Sequence, residues 1–139
     1  MKTIKKLQFT FGGYFANNYS VTIVGNKTEY WGSRHPINMK PALQKAITDE
    51  KLNELSLLLN QLEIQKWQPE YFAEIMDGIQ WTLIILYSDK TKFKSFGSNA
   101  YPDSNGNKKD EMTNEFQQLM DILKSAIEEP DFFSSKFIN

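Results

Sequence analysis

From Ile79 to Tyr87 the chain alternates. Ile79, Trp81, Leu83, Ile85 and Tyr87 fall on one face of an extended ribbon, and Gln80, Thr82, Ile84 and Leu86 on the other. The second face turns from polar to apolar, which predicts an interior strand covered on both sides along its later half. Ser88 to Thr91 reverse the chain. In the return run Lys92, Lys94 and Phe96 share one side, and Phe93, Ser95 and Gly97 the other. With Lys90 the lysines recur at alternate positions, the pattern of a solvated face or of a protected edge strand. Asp77-Gly78 opens this hairpin, and Gly97-Ser98-Asn99-Ala100-Tyr101-Pro102 closes it.

The N-terminal third repeats the same period. Lys5, Leu7, Phe9 and Phe11 alternate with Lys6, Gln8 and Thr10 until Gly12-Gly13 ends the run. Tyr14 and Phe15 form an aromatic loop closed by Asn17-Asn18, residues that tolerate turn geometry. A second strand covers Tyr19 to Val24, Gly25-Asn26 is a two-residue hairpin signal, and a third strand covers Lys27 to Gly32. An antiparallel meander is the simplest arrangement of the three. Pro36 and Pro41 predict a loop from Ser33 to Ala46.

Two stretches switch to helical period. Thr48 or Asp49 caps a helix whose stripe is Leu52, Leu55, Leu58, Leu59 and Leu62. Asp110 or Thr113 caps another, striped by Met112, Phe116, Leu119, Met120, Leu123 and Ile127 and ended by Glu128-Glu129-Pro130. Between the first helix and the hairpin, residues 69–76 are expected to make a short helical turn. Residues 103–110 read as a flexible surface loop. The tail at 131–139 still carries Phe132, Phe133, Phe137 and Ile138, so it is expected to dock on the body or on a second subunit. The expected fold is α+β: one domain with an antiparallel sheet of about five strands, in the order meander, helix, hairpin, helix, and two helices packed on one face.

Composition narrows the chemistry. At 139 residues one ordinary core suffices. Zero cysteines exclude disulfides, thiolate zinc sites and cysteine nucleophiles. A net charge of −1, from 16 basic and 17 acidic residues, removes any whole-protein attraction to nucleic acid. No apolar run approaches the roughly 20 residues that cross a bilayer. The basic start at Met1 is followed by Gln8, Thr10 and Gly12-Gly13, which interrupt a signal-peptide core, so the cytoplasm is the expected location.

Candidate site residues are few. His35 is the only histidine, and the sequence holds no HExxH or phosphate-loop pattern, so neither a metal nor a cofactor is expected. Glu70, Glu74 and Asp77 could share a proton or hold a cation. The plainer role for Asp77 is to open its Asp-Gly turn. Phe93 and Phe96 among Lys90, Lys92 and Lys94 loosely fit a single-strand stacking surface, although core and edge roles account for them better. A pocket of Trp67, Trp81, Asn99 and Tyr101, with Asp77 or Glu70 as acid or base, is the candidate ligand site. The competing reading makes 97–102 a structural corner, in which Gly97 permits a bend and Asn99 bonds to nearby backbone.

Trp67 followed by Tyr71, then Asp77-Gly78-Ile79-Gln80-Trp81, then Gly97-Ser98-Asn99-Ala100-Tyr101-Pro102, resembles a pattern of small bacterial proteins: W-x3-Y, DGxxW, GxNAYP. The resemblance spans about the middle third of the chain and implies a shared α+β core without an established activity. Residues 103–109 depart from it as an insertion before the last helix. The expected function is a non-catalytic protein- or peptide-binding module, immunity-like or a regulatory adaptor. Its partner is a protein or a second copy, met through Tyr14 and Phe15 or through the tail. The alternative is a small-ligand binder or enzyme at Trp81, Asn99 and Tyr101.

Overall fold

The alternation of Leu7 and Phe9 with Gln8 and Thr10 gives β1 (Ile4–Gly12) one apolar face, and its neighbours on both sides match it. It pairs antiparallel with β2 (Asn18–Val24) and with β6 (Gln80–Tyr87). The computed structural model describes residues 2–13, 16–34, 42–73 and 78–138. β3 (Lys27–Ser33) extends the meander, β4 (Leu43–Ala46) adds an edge, and β7 (Lys92–Ser98) returns beside β6. The fifth strand in chain order, β5 (Glu70–Phe72), lies parallel to β7 at the opposite edge. Among the described residues this sheet has seven strands, in the order β4-β3-β2-β1-β6-β7-β5.

Three differences from the expected five-strand sheet have local causes. β4 follows Pro41 and so escapes the prolines that argue against a strand; Lys27 to Tyr30 pair with Ala46 to Leu43. β5 replaces the expected helical turn because β7 would otherwise leave its outer edge unpaired. There Phe96 N–H donates to the Pro69 oxygen at 3.0 Å, and Ala73 N–H to the Ser98 oxygen at 3.1 Å. The return strand is therefore internal, although its lysines do face solvent. In β1 a bulge between Ile4 and Lys6 shifts the register, so Ile4 rather than Lys5 joins the buried face.

One face of the sheet is covered. Helix α1 (Asp49–Gln61) starts where Thr48 Oγ1 accepts from Lys51 N–H at 3.1 Å. Leu52, Leu55 and Leu59 bury inward, and a single 3₁₀ turn follows at Ile64–Lys66. Helix α2 (Asn114–Ile127) is capped by Thr113 and lays Phe116 against Phe9, Phe11 and Trp81. The tail folds onto the same layer through α3 (Ser135–Ile138). Phe132 makes edge contacts with Tyr19 and Tyr30 and is almost fully buried. Residues 101–109 form a small ribbon of β8 (Tyr101–Pro102) and β9 (Lys108–Lys109), and the Asp103 carboxylate accepts the N–H groups of Asn105 and Asn107. Those bonds hold the Asp103 carboxyl below the usual carboxylate range.

Among the described residues nothing covers the opposite face. Lys6, Gln8, Thr10, Ser20, Thr22, Val24, Thr82, Ile84, Leu86, Lys92, Lys94 and Phe96 point there, and none of them is fully buried. Among the described residues the later half of β6 is thus covered on one side only, and Ile84 and Leu86 are half-buried beside their partners on β1 and β7.

On the covered side Thr28 is 1% exposed, and its hydroxyl has no hydrogen-bond partner among the described residues. An unpaired buried hydroxyl costs free energy that a methyl of the same shape does not. Thr28→Val keeps the β-branched shape and is expected to raise stability by about 1 kcal/mol. Chemical denaturation checks this, and a variant less stable than the parent contradicts it.

Candidate functional site

Aromatic side chains meet where the W-x3-Y, DGxxW and GxNAYP segments converge. Trp81 is 1% exposed, and its indole Nε1–H donates to the Ala100 oxygen at 2.9 Å. Trp67 stands edge-on to it at 6.1 Å, Tyr71 lies at 6.1 Å, and Phe116 at 4.8 Å. Tyr101 meets Phe116 edge-on, with ring centroids 4.9 Å apart. Gly97 is required here, because a Cβ on it would run into the indole nitrogen and the Ala100 oxygen.

Asn99 closes the corner by backbone bonding. It adopts a left-handed φ of 53°, its N–H donates to the Ile79 oxygen at 2.8 Å, and its Oδ1 accepts the Ile79 N–H at 2.9 Å. Tyr71 OH donates to the Gly106 oxygen at 2.7 Å and accepts from Gln68 N–H at 2.8 Å. Thus Trp67, Trp81 and Tyr101 come together as core, with Asn99 at their margin as a clamp on the strand entry. The Tyr101–Pro102 bond is trans. Asp77, Glu74, His35, Tyr14 and Phe15 lie outside the described residues. Glu70 is exposed on β5.

Burial also acts on the phenols. It pushes Tyr19, Tyr30, Tyr71, Tyr87 and Tyr101 above the ordinary tyrosine value, and Glu129 adds to this at Tyr30 and Asp89 at Tyr87. The folded chain therefore holds these protons more tightly than the unfolded chain. As pH rises through about 10, the unfolded state loses protons first and stability falls. In an alkaline titration, tyrosinate absorbance is expected to lag the free-tyrosine curve and to rise together with loss of the fold. A smooth rise near the free value in the intact protein contradicts the burial.

A cleft of about 550 Å³ opens elsewhere, between α1, the 3₁₀ turn and the end of the β6–β7 hairpin. Ile64, Tyr87 and Phe93 give it an apolar part, and Lys2, Ser56, Asn60, Gln65, Thr91 and Lys92 a polar one. Lys2 Nζ is held there by Thr91 Oγ1 at 3.0 Å and by Asp89 at 3.7 Å, and sits 5.4 Å from the Tyr87 ring. Nothing in the sequence pattern marks this cleft, because its walls come from three separate stretches of chain.

The uncovered sheet face carries apolar groups in water. Phe72 is 65% exposed, Val24 54% and Phe96 37%. Lys94 Nζ lies 5.9 Å from the Phe96 ring. Among the described residues no group of three or more His, Asp or Glu side chains could hold a metal ion. No described helix is long and apolar enough to cross a membrane. No protein-family model matches the chain, and comparison with curated proteins returns no match.

Proposed function

We propose that the chain is a small non-catalytic module of the bacterial cytoplasm that binds a partner protein or peptide, as an immunity protein or regulatory adaptor does. One observation carries this reading: among the described residues the sheet is covered on one face only, and the bare face holds Val24, Ile84, Leu86 and Phe96 among lysines. Exposed apolar side chains that share one surface gain free energy when a partner removes them from water. A second copy bound through Tyr14 and Phe15 or through the tail is the other partner arrangement. It is less favoured, since Phe132 and Ile138 already bury in the chain's own core.

The test is a photo-crosslinking residue at position 86 on the bare face, with position 57 on the outer side of α1 as control. Labelling of one specific partner from 86 and none from 57 supports the reading. Equal labelling from both, or none from 86, overturns it.

A second reading is a small-ligand binder. For it the 550 Å³ cleft at Tyr87 and Phe93 is the better seat than Trp81, Asn99 and Tyr101, because its volume falls in the range of ligand pockets while the indole and Asn99 Oδ1 are bonded to backbone.

A further inference from the structure

Strand register brings together residues far apart in the chain. Lys27 pairs with Val24, Val24 with Lys6, Lys6 with Leu86, and Leu86 with Lys92. One row across β3, β2, β1, β6 and β7 thus reads lysine, valine, lysine, leucine, lysine on the uncovered face. Lys6 and Lys92 enter no ion pair among the described residues. Lys27 reaches only Glu29, at 3.7 Å with both groups well exposed.

Between these lysines Val24 is 54% exposed and Leu86 half-buried, so the row offers apolar contacts beside positive charge. We propose that an acidic amphipathic segment of a partner protein docks along this row, with its carboxylates on Lys6 and Lys92 and its apolar side chains on Val24 and Leu86. This rests on the bare face being the binding surface, and it adds the chemistry of the partner. Charge fixes register and speeds encounter, while the apolar contacts supply affinity.

Spacing fits a helix. Neighbouring strands are about 4.8 Å apart, and a helix advances about 5.4 Å per turn. A helix lying across the strands meets one strand per turn. Carboxylates seven residues apart then face alternate strands, with apolar residues on the turns between. Single-stranded nucleic acid fits less well, because the row has no aromatic ring between its lysines on which a base could stack.

The probe is a labelled peptide of about 15 residues, four helical turns, with Glu at every seventh position and Leu midway between. Its control has the same composition shuffled, so that Glu and Leu lie on opposite sides. Fluorescence anisotropy against the full chain is expected to show binding that weakens with salt. The shuffled peptide should bind about tenfold more weakly, as should the designed peptide to Lys6→Glu or Lys92→Glu. Both positions are exposed, and Lys6→Gln and Lys92→Gln, with smaller losses, serve as milder variants. No binding, equal binding of the two peptides, or tighter binding of a single-stranded oligonucleotide or an anionic phosphatidylserine vesicle overturns the proposal. Crosslinking at position 86 separates the two levels. A partner captured there without peptide binding overturns the acidic-segment proposal and leaves the docking face standing. Absence of both removes the docking face as well.

Discussion

Trp81→Ala is expected to cost about 3–5 kcal/mol, enough to leave the domain partly unfolded at room temperature. The indole is 1% exposed and fills the space among Trp67, Tyr71 and Phe116, so its loss opens a cavity where three segments meet. It also strands the Ala100 carbonyl that the indole N–H satisfies. Urea unfolding, set against Phe72→Ala as a control on a side chain 65% exposed, gives the measurement. The control should stay within about 0.5 kcal/mol of the parent. A Trp81→Ala protein with the parent's midpoint contradicts the assignment of this side chain to the core.

The second large effect is expected at Gly97. Its hydrogen stands against the indole ring of Trp81 and the Ala100 oxygen, and any Cβ would collide with both. Gly97→Val is expected to cost about 3 kcal/mol, since either β7 or the indole must move. The variant should also lose the Trp81–Ala100 hydrogen bond, visible as a shifted indole N–H resonance. A double variant Gly97→Val with Trp81→Leu that costs less than the sum of the two single variants would locate the clash at this contact. No cost in the single variant would show that the pair does not meet.

Much of this frame was legible in the sequence. The period of two in Ile79–Tyr87 and Leu7–Phe11 and the Gly25-Asn26 turn predict the meander and the hairpin, because side-chain alternation depends only on local geometry. Both main helices are predicted by their leucine and mixed apolar stripes, with Thr48 and Thr113 as the observed caps. What escaped was set by distant partners. Leu43–Ala46 has no alternation of its own and is a strand only because β3 offers an edge. Glu70–Phe72 is extended because β7 needed a neighbour, with Tyr71 anchored to Gly106. Lys5 falls out of the buried face because a bulge shifts the register, which no count of alternate residues reveals.

The candidate site divides the same way. The sequence offers Trp67, Trp81, Asn99 and Tyr101 as one group, and three of them meet around Phe116. Their burial and backbone bonding follow from tertiary packing and could be read as scaffold or as pocket from the chain alone. Lys92 and Lys94 were legible as a solvated face. The row from Lys27 to Lys92 was not, because it exists only once five strands have taken their register.

Tryptophan emission addresses the central claim directly, since the chain has three tryptophans and Trp31, on the bare face, can be replaced by Phe. The remaining light comes from Trp67 and Trp81, which are 6% and 1% exposed. If these rings are framework, the Trp31→Phe protein emits at blue-shifted wavelength and resists acrylamide until it unfolds. Red-shifted emission that acrylamide quenches freely in the folded protein would mean that the two indoles line an open chamber.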